Sequence, residues 1–406
     1  MDASAHAENN DYKPAMKKIR TNTDSRASAA TVTPELLPPP AGIGRRSFMR
    51  SLGLASSILL PAAGFSGSAS AKDDDDDNNN QGNDDDNKHH GNDDDKHHGK
   101  RLRRGDVAIL RFLAAAELIE TDLWQQYNEL ALGNPAYGEA LGVLDEDMGQ
   151  YVSDNTDDEL SHATFLNAYL KSLGEQPVNL DAFRTLPGSQ ATGSSKSKRL
   201  TNLNQLTVDT SWWLRYRSEG NPDFGDIFPQ FINITNRPTI PLQDLPAGSN
   251  EIQAIANSAA FHFGTIEQGG TSLYAQFLPR VSSLEVITIV AGIGGAEVVH
   301  FAIWHDKAGN APAVTVPGVS FPDMETFNGD ESRQNNLIMP EPCKFVRTDL
   351  PVCSVIRPTS RQNAGAVAAA TAFINSGLFI GQTPQFFQTL MSLARSADLA
   401  RRPGHD

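Results

Sequence analysis

The chain has 406 residues, a formal net charge of −15 and 39% hydrophobic residues, enough for one large domain or two ordinary ones. The acidic balance argues against nucleic acid as a partner, and two cysteines, Cys343 and Cys353, are too few for a thiolate-ligated zinc or an iron–sulfur cluster. Much of the charge sits in three short runs, Asp73 to Asp77, Asp84 to Asp86 and Asp93 to Asp95, so it describes a tether more than a folded surface. Of the ten histidines, only His162, His262, His300 and His305 lie outside that tract and the termini.

Residues 1–71 read as a signal region. Arg45-Arg46-Ser47-Phe48-Met49-Arg50 precedes an apolar run over residues 52–65, and Ala69-Ser70-Ala71 offers a cleavage site after Ala71. The run is too short and too rich in Gly, Ser and Pro to span a bilayer. The paired Arg45 and Arg46 resemble a twin-arginine signal, which implies passage through the twin-arginine translocase and a periplasmic or extracellular location. Met16, followed by Lys17-Lys18, is an alternative start. Residues 72–104, rich in Asp, Asn, Gly and His pairs, bury too little apolar surface to fold and read as a disordered linker.

Four helices follow. The first, residues 107–130, carries Leu110, Leu113, Glu117, Glu120, Trp124 and Tyr127 at alternating steps of three and four, which puts all six on one core-facing seam. The second, residues 151–173, carries Val152, Asn155, Glu159, His162, Leu166 and Tyr169 in the same way, with acids in its first turn and Gly174 as its stop. The third, residues 251–277, has Phe263, Glu267, Tyr274 and Phe277 on its seam; the fourth, residues 283–306, has Val286, Val290, Ile293, Glu297, His300 and Trp304.

The two halves repeat one pattern. Glu117 is followed two turns later by Trp124, and Glu267 by Tyr274; Glu159-Leu160-Ser161-His162 is matched by Glu297-Val298-Val299-His300. A carboxylate on an apolar seam is costly without a partner. Four carboxylates and two imidazoles in one bundle core suit two divalent cations, since four negative charges balance four positive ones. One Glu from each of two helices and a Glu-x-x-His from each of the other two is the di-iron or di-manganese carboxylate arrangement. With these residues the chain resembles the ferritin-like superfamily, and with its signal it resembles exported bacterial ferritin-like or desiccation-related proteins. The resemblance covers about residues 105–306, with gaps in the connections, within a bundle domain of residues 105–310. It implies an all-α, ferritin-like four-helix bundle whose metal ligands are Glu117, Glu159, His162, Glu267, Glu297 and His300, holding two Fe or two Mn ions.

Glu120 breaks the repeat, because Gly270 stands at its counterpart. It reads as a residue behind the ligands, together with Trp124 and Tyr274, while His262 reads as a satisfied core or surface histidine with a place behind the ligands as the alternative. His305 reads as a satisfied core or surface histidine. Gly292, Gly294 and Gly295 after an apolar run resemble a dinucleotide-binding turn, but Glu297 occupies the third glycine position and no strand–helix alternation surrounds it. No serine-hydrolase elbow or His-Glu-x-x-His zinc helix is present.

The insertion at residues 175–250 provides the crossover between the second and third helices, which such a bundle runs parallel. Its Trp212, Trp213 and Tyr216 are expected to fold over the bundle, covering the metal site or forming a subunit contact in a homo-oligomer. Residues 311–406 are a Pro-rich wrap followed by helices at residues 366–375 and 384–400, with Phe386, Leu390 and Leu393 as a docking stripe. Export makes a Cys343–Cys353 disulfide an expectation as well.

Three functions fit this reading: a redox enzyme acting on O2 or peroxide as an oxidase, peroxidase or catalase; iron oxidation and storage; and a non-catalytic envelope scaffold in stress or desiccation tolerance.

Overall fold

The computed structural model describes residues 102–215, 230–327, 340–341, 343, 346–355 and 365–403. Arg45, Arg46, Ala71, the acidic tract and Tyr216 lie outside the described residues.

Four long helices form the bundle: α1 (Arg104–Gly133), α3 (Met148–Ser172), α5 (Asn250–Phe277) and α6 (Leu284–Ala308). A short α2 (Pro135–Gly142) joins α1 to α3. Each long helix is recognisable from its apolar period, and each observed boundary lies within three residues of the expected one. The helix α1 begins at Arg104, the last residue of the stretch read as linker. The eight-residue α2 is an addition, too short for a period to reveal; its start is fixed by Pro135 at the first position and by Asn134, whose side chain accepts the Tyr137 N–H at 3.0 Å.

The helices α1 and α3 form one antiparallel pair, α5 and α6 the other. Thr156 of α3 donates to the Trp124 carbonyl of α1 at 3.2 Å. Between α5 and α6 the approach is close because of glycine: a Cβ at Gly294 would lie 2.7 Å from Cβ of Tyr274. The glycine run of α6 is therefore helical and tightly packed, with no nucleotide turn. The pairs join through an aromatic pile in which Trp124 packs on Phe263 at 4.7 Å and on Trp304 at 5.3 Å, and Tyr127 meets Phe263 edge-on at 4.6 Å. Since α1 is antiparallel to both α3 and α5, the last two run in the same direction, and the long crossover is a geometric necessity.

Carboxylates pin the loops to this frame. Asp106 of α1 accepts the N–H groups of Ser282 at 2.8 Å and Ser283 at 2.9 Å, capping α6, for which Ser283 provides no side-chain cap. The buried Asp122 accepts from Leu200 N, Thr201 N and the Thr201 hydroxyl at 2.7–3.0 Å and pairs with Arg184, anchoring the insertion on α1. The insertion contributes β1 (Leu206–Val208), α4 (Trp212–Arg215) and β2 (Ile234–Arg237), with β1 and β2 antiparallel. It does fold onto the bundle. The Trp212 indole donates to the Phe261 carbonyl at 3.2 Å, and Trp213 stacks on His305 at 4.6 Å. His305 is thus a buried core residue.

After α6 come the hairpin β3 (Val314–Val316) and β4 (Val319–Phe321), a second ladder of β5 (Pro340–Glu341) with β6 (Cys353–Ser354), then α7 (Ala366–Asn375) and α8 (Pro384–Asp398). The stripe on α8 docks as expected, with Phe386 and Leu390 buried and Leu393 half-buried, and Asp398 caps α7 through the Ala366 and Val367 N–H groups. The expected disulfide is not formed. Cys353 stands opposite Glu341 in the β5–β6 ladder with its thiol exposed, whereas Cys343 is buried, so the two sulfurs occupy different environments and are not bridged.

Candidate metal centre

Helical spacing delivers six side chains to one point in the bundle. Glu117 and Glu267 come from α1 and α5; the three-residue spacing of Glu159–His162 and Glu297–His300 keeps each Glu and His of α3 and α6 on one face. The four glutamates are fully buried, His300 is buried and His162 is nearly so. They make two overlapping groups able to hold a metal ion, Glu117–Glu159–His162–Glu297 and Glu159–Glu267–Glu297–His300, with the ligand atoms of each within 4.8 Å of one another. Glu159 and Glu297 belong to both groups.

The donor atoms face each other and satisfy each other only in part. His162 Nδ1 lies 3.4 Å from Glu117, 3.2 Å from Glu159 and 3.5 Å from Glu297. His300 Nδ1 lies 3.0 Å from Glu159 and 3.3 Å from Glu267, yet makes no hydrogen bond because its ring N–H direction misses both oxygens. Glu117 Oε2, Glu267 Oε2 and both Glu297 oxygens are buried with no hydrogen-bond partner. Buried carboxylate oxygens left unsatisfied are strongly unfavourable. A cation coordinated at that point satisfies them together, so this donor set fits a metal centre.

The electrostatics agree. Burial, then repulsion from Glu159 and Glu267, raises the Glu297 carboxyl well above the usual range. Burial and the neighbouring Glu267 push Glu159 up to about 7. Burial opposes protonated histidine, but hydrogen bonds and charge from Glu117 and Glu159 outweigh it and raise His162 to about 10. His300 is likewise raised, its burial outweighed by the negative charge of Glu267 and by the Asp158 carboxylate, which accepts from Nε2. Without a metal, protons must partly neutralise this cluster; divalent cations can do so instead.

Gly270 explains why the internal repeat is broken. A Cβ there would lie 2.2 Å from Oε2 of Glu297, so the glycine is the space that the Glu297 carboxylate occupies. Its counterpart Glu120 is buried beside the cluster, with its carboxyl raised by burial first and by Glu117, Glu159 and Glu267 next. Neither group of potential ligands includes it.

The other expected supporting residues divide. The Tyr274 hydroxyl donates to Glu117 Oε1, a direct contact with the cluster. Trp124 makes none; it stacks on Trp304, which in turn reaches the site. His262 also stays away from the cluster. Its Nδ1 is 2.7 Å from the Tyr127 hydroxyl, and burial depresses its pKa to about 3, so it is a neutral core imidazole. Four contacts are additions to the expected set. Asn155 Nδ2 donates to Glu159 at 3.0 Å and Glu267 at 3.1 Å, tying α3 to α5, and its Oδ1 accepts the Trp304 indole N–H at 2.8 Å. Asp158, half exposed, lies 3.2 Å from Nε2 of His300. Asn155 and Trp304 stood on their seams in the sequence, and a polar Asn one turn before Glu159 was the available signal. Asp158 looked like a first-turn acid and gave none.

The ferritin-like domain family matches the chain over residues 105–310, half of its length and all four bundle helices. The chain belongs to the ferritin-like domain family. No curated protein and no solved structure matches it. Membership fixes the bundle and makes sense of a buried acid–histidine cluster; the chemistry at that cluster has to be argued from its residues.

Proposed function

We propose that this ferritin-like protein is exported and binds two iron or two manganese ions, performing redox chemistry on O2 or peroxide. The observation that carries the reading is the overlap of the two four-residue groups at Glu159 and Glu297. Glu117 and His162 would hold one ion and Glu267 and His300 the other, with Glu159 and Glu297 available to either. Bound iron or manganese would supply the electron transfer that no side chain of this set can supply alone.

The chain's own groups have definite tasks around such a centre. The Tyr274 hydroxyl orients Glu117, and Asn155 fixes Glu159 and Glu267 with one amide. A hydrogen bond between Asp158 and His300 Nε2 leaves Nδ1 directed into the cluster with its lone pair available. Trp124, Phe263 and Trp304 close one end against water. His162, 11% exposed, is the most accessible of the six and marks where a small oxidant would enter. Support for export comes from the Arg45-Arg46 pattern and the following apolar run.

The test is metal analysis of protein recovered from its native host, a thermal-stability series with added Fe(II) or Mn(II), and turnover assays with hydrogen peroxide and Fe(II). The reading predicts bound metal and peroxide- or O2-dependent turnover. Loss of the metal into a retained iron mineral would make the protein a storage device. Metal without turnover would make it a scaffold, and protein that neither holds nor gains stability from metal would end the proposal.

A further inference from the structure

A cavity of about 1130 Å³ opens between the first turns of α1 and the outer face of α8. Its lining is basic in a chain of net charge −15. Arg103, Arg104 and Arg111 of α1 belong to the lining, with Ser392 and Ser396 of α8 and Arg401. Glu175 is the one carboxylate among the lining residues.

Elsewhere the arginines of the bundle and its insertion are neutralised: Arg184 by Asp122, Arg199 by Glu129, Arg237 by Glu251 and Arg280 by Asp398. Among the described residues no carboxylate pairs with Arg103, Arg104 or Arg111. The Arg111 Nε is buried and has no hydrogen-bond partner. The Nε atoms of Arg199 and Arg237 are likewise unbonded, but those two guanidinium groups have a carboxylate beside them, and Arg111 has none among the described residues to offset its burial. The start of α1 adds to the field, because its N-cap residue Arg103 provides no side-chain acceptor for the first N–H groups and the helix dipole is positive there. Pockets for small organic ligands run to roughly 300–1,000 Å³, so this one exceeds a single carboxylate or phosphate.

We infer that this cavity binds a multiply charged anion, an array of carboxylates or phosphates held by Arg103, Arg104 and Arg111 with hydroxyl support from α8. Guanidinium is the side chain suited to both oxyanions, through paired N–H donors. The occupant is a free polyanion, larger than one carboxylate or phosphate.

The experiment is calorimetric titration of the full chain with sodium tripolyphosphate. Because tripolyphosphate also chelates metal ions, dependence on the arginines is the readout. The inference predicts binding to the unaltered chain that weakens about tenfold or more in Arg111→Gln and falls steeply with salt. Arg103→Gln, at an exposed position, gives the same comparison should Arg111→Gln fail to fold. Binding that no arginine substitution weakens, or no binding at all, overturns the inference.

Discussion

The two halves of the bundle carry the same four-residue theme in different surroundings. In the C-terminal pair, α5 surrenders a side chain: Gly270 makes room for Glu297, whose two oxygens then find no hydrogen-bond donor. In the N-terminal pair the equivalent position is Glu120, and Glu159 instead takes a hydrogen bond from Asn155, whose own equivalent on α6 is Ile293. The aromatic that follows each lone Glu differs as well. Tyr274 hydrogen-bonds across the bundle to Glu117, while Trp124 only stacks. A duplicated ligand pattern thus coexists with unequal support. Glu297 relies on the space that Gly270 leaves, Glu159 on a neighbouring amide.

The strongest way to break this comparison is to remove a shared carboxylate. Glu159→Ala and Glu297→Ala should each abolish most metal binding, whereas Glu117→Ala, confined to one group, should leave about one ion per chain; elemental analysis of purified variants reads this directly. Equal loss in all three would refute the sharing.

Next comes the glycine. Gly270→Ala should displace the Glu297 carboxylate and cut metal affinity by about 10- to 100-fold, the range typical of disturbed ligand support. Glu120→Gln should retain both ions and raise the melting temperature of the metal-free protein by a few degrees, since it removes a buried carboxylate from a crowded acid cluster. If Gly270→Ala binds metal normally, the space argument is wrong.

A smaller effect is expected at Asp158. Because this carboxylate is half exposed, Asp158→Asn should weaken metal binding only about tenfold or less, as measured by competition with a chelator. An unchanged affinity would reduce the His300 contact to a surface ion pair.

The smallest concerns His262, buried in the same core but apart from the cluster. Its folded pKa of about 3 lies below its unfolded value near 6.5. The unfolded chain therefore takes up a proton that the folded chain refuses, and stability is lost as pH falls from about 6.5 toward 3. At pH 5 this amounts to about 2 kcal/mol at most. Denaturant titrations at pH 7 and pH 5 should show a shallower acid loss in His262→Gln than in the unaltered chain. Parallel losses would mean that His262 is accessible to protons.

What the sequence revealed and what it concealed follow from the range of each interaction. Glu117, Glu159, His162, Glu267, Glu297 and His300 were legible because each needs only its own helix to place it on a seam, and the repeat supplied the rest. The long helices were legible for the same reason. Asn155 was visible as a polar residue on a seam, but its bridge to Glu267 depends on how α3 meets α5. Gly270 was seen as an exception with no cause, because the cause sits on another helix. The spacing of His262 from Glu267 already favours a satisfied core histidine, but its partner Tyr127 lies on another helix and is not legible from the sequence. The disulfide expectation rested on compartment alone, and compartment does not bring two sulfurs together.

The most direct measurement of the central claim is the metal content of the full chain after anaerobic incubation with Fe(II) or Mn(II) and removal of excess ion. Two ions per chain, lost in Glu297→Ala, is the predicted result. A chain that retains none, or whose ions survive that substitution, would contradict the assignment of this cluster as a two-metal centre.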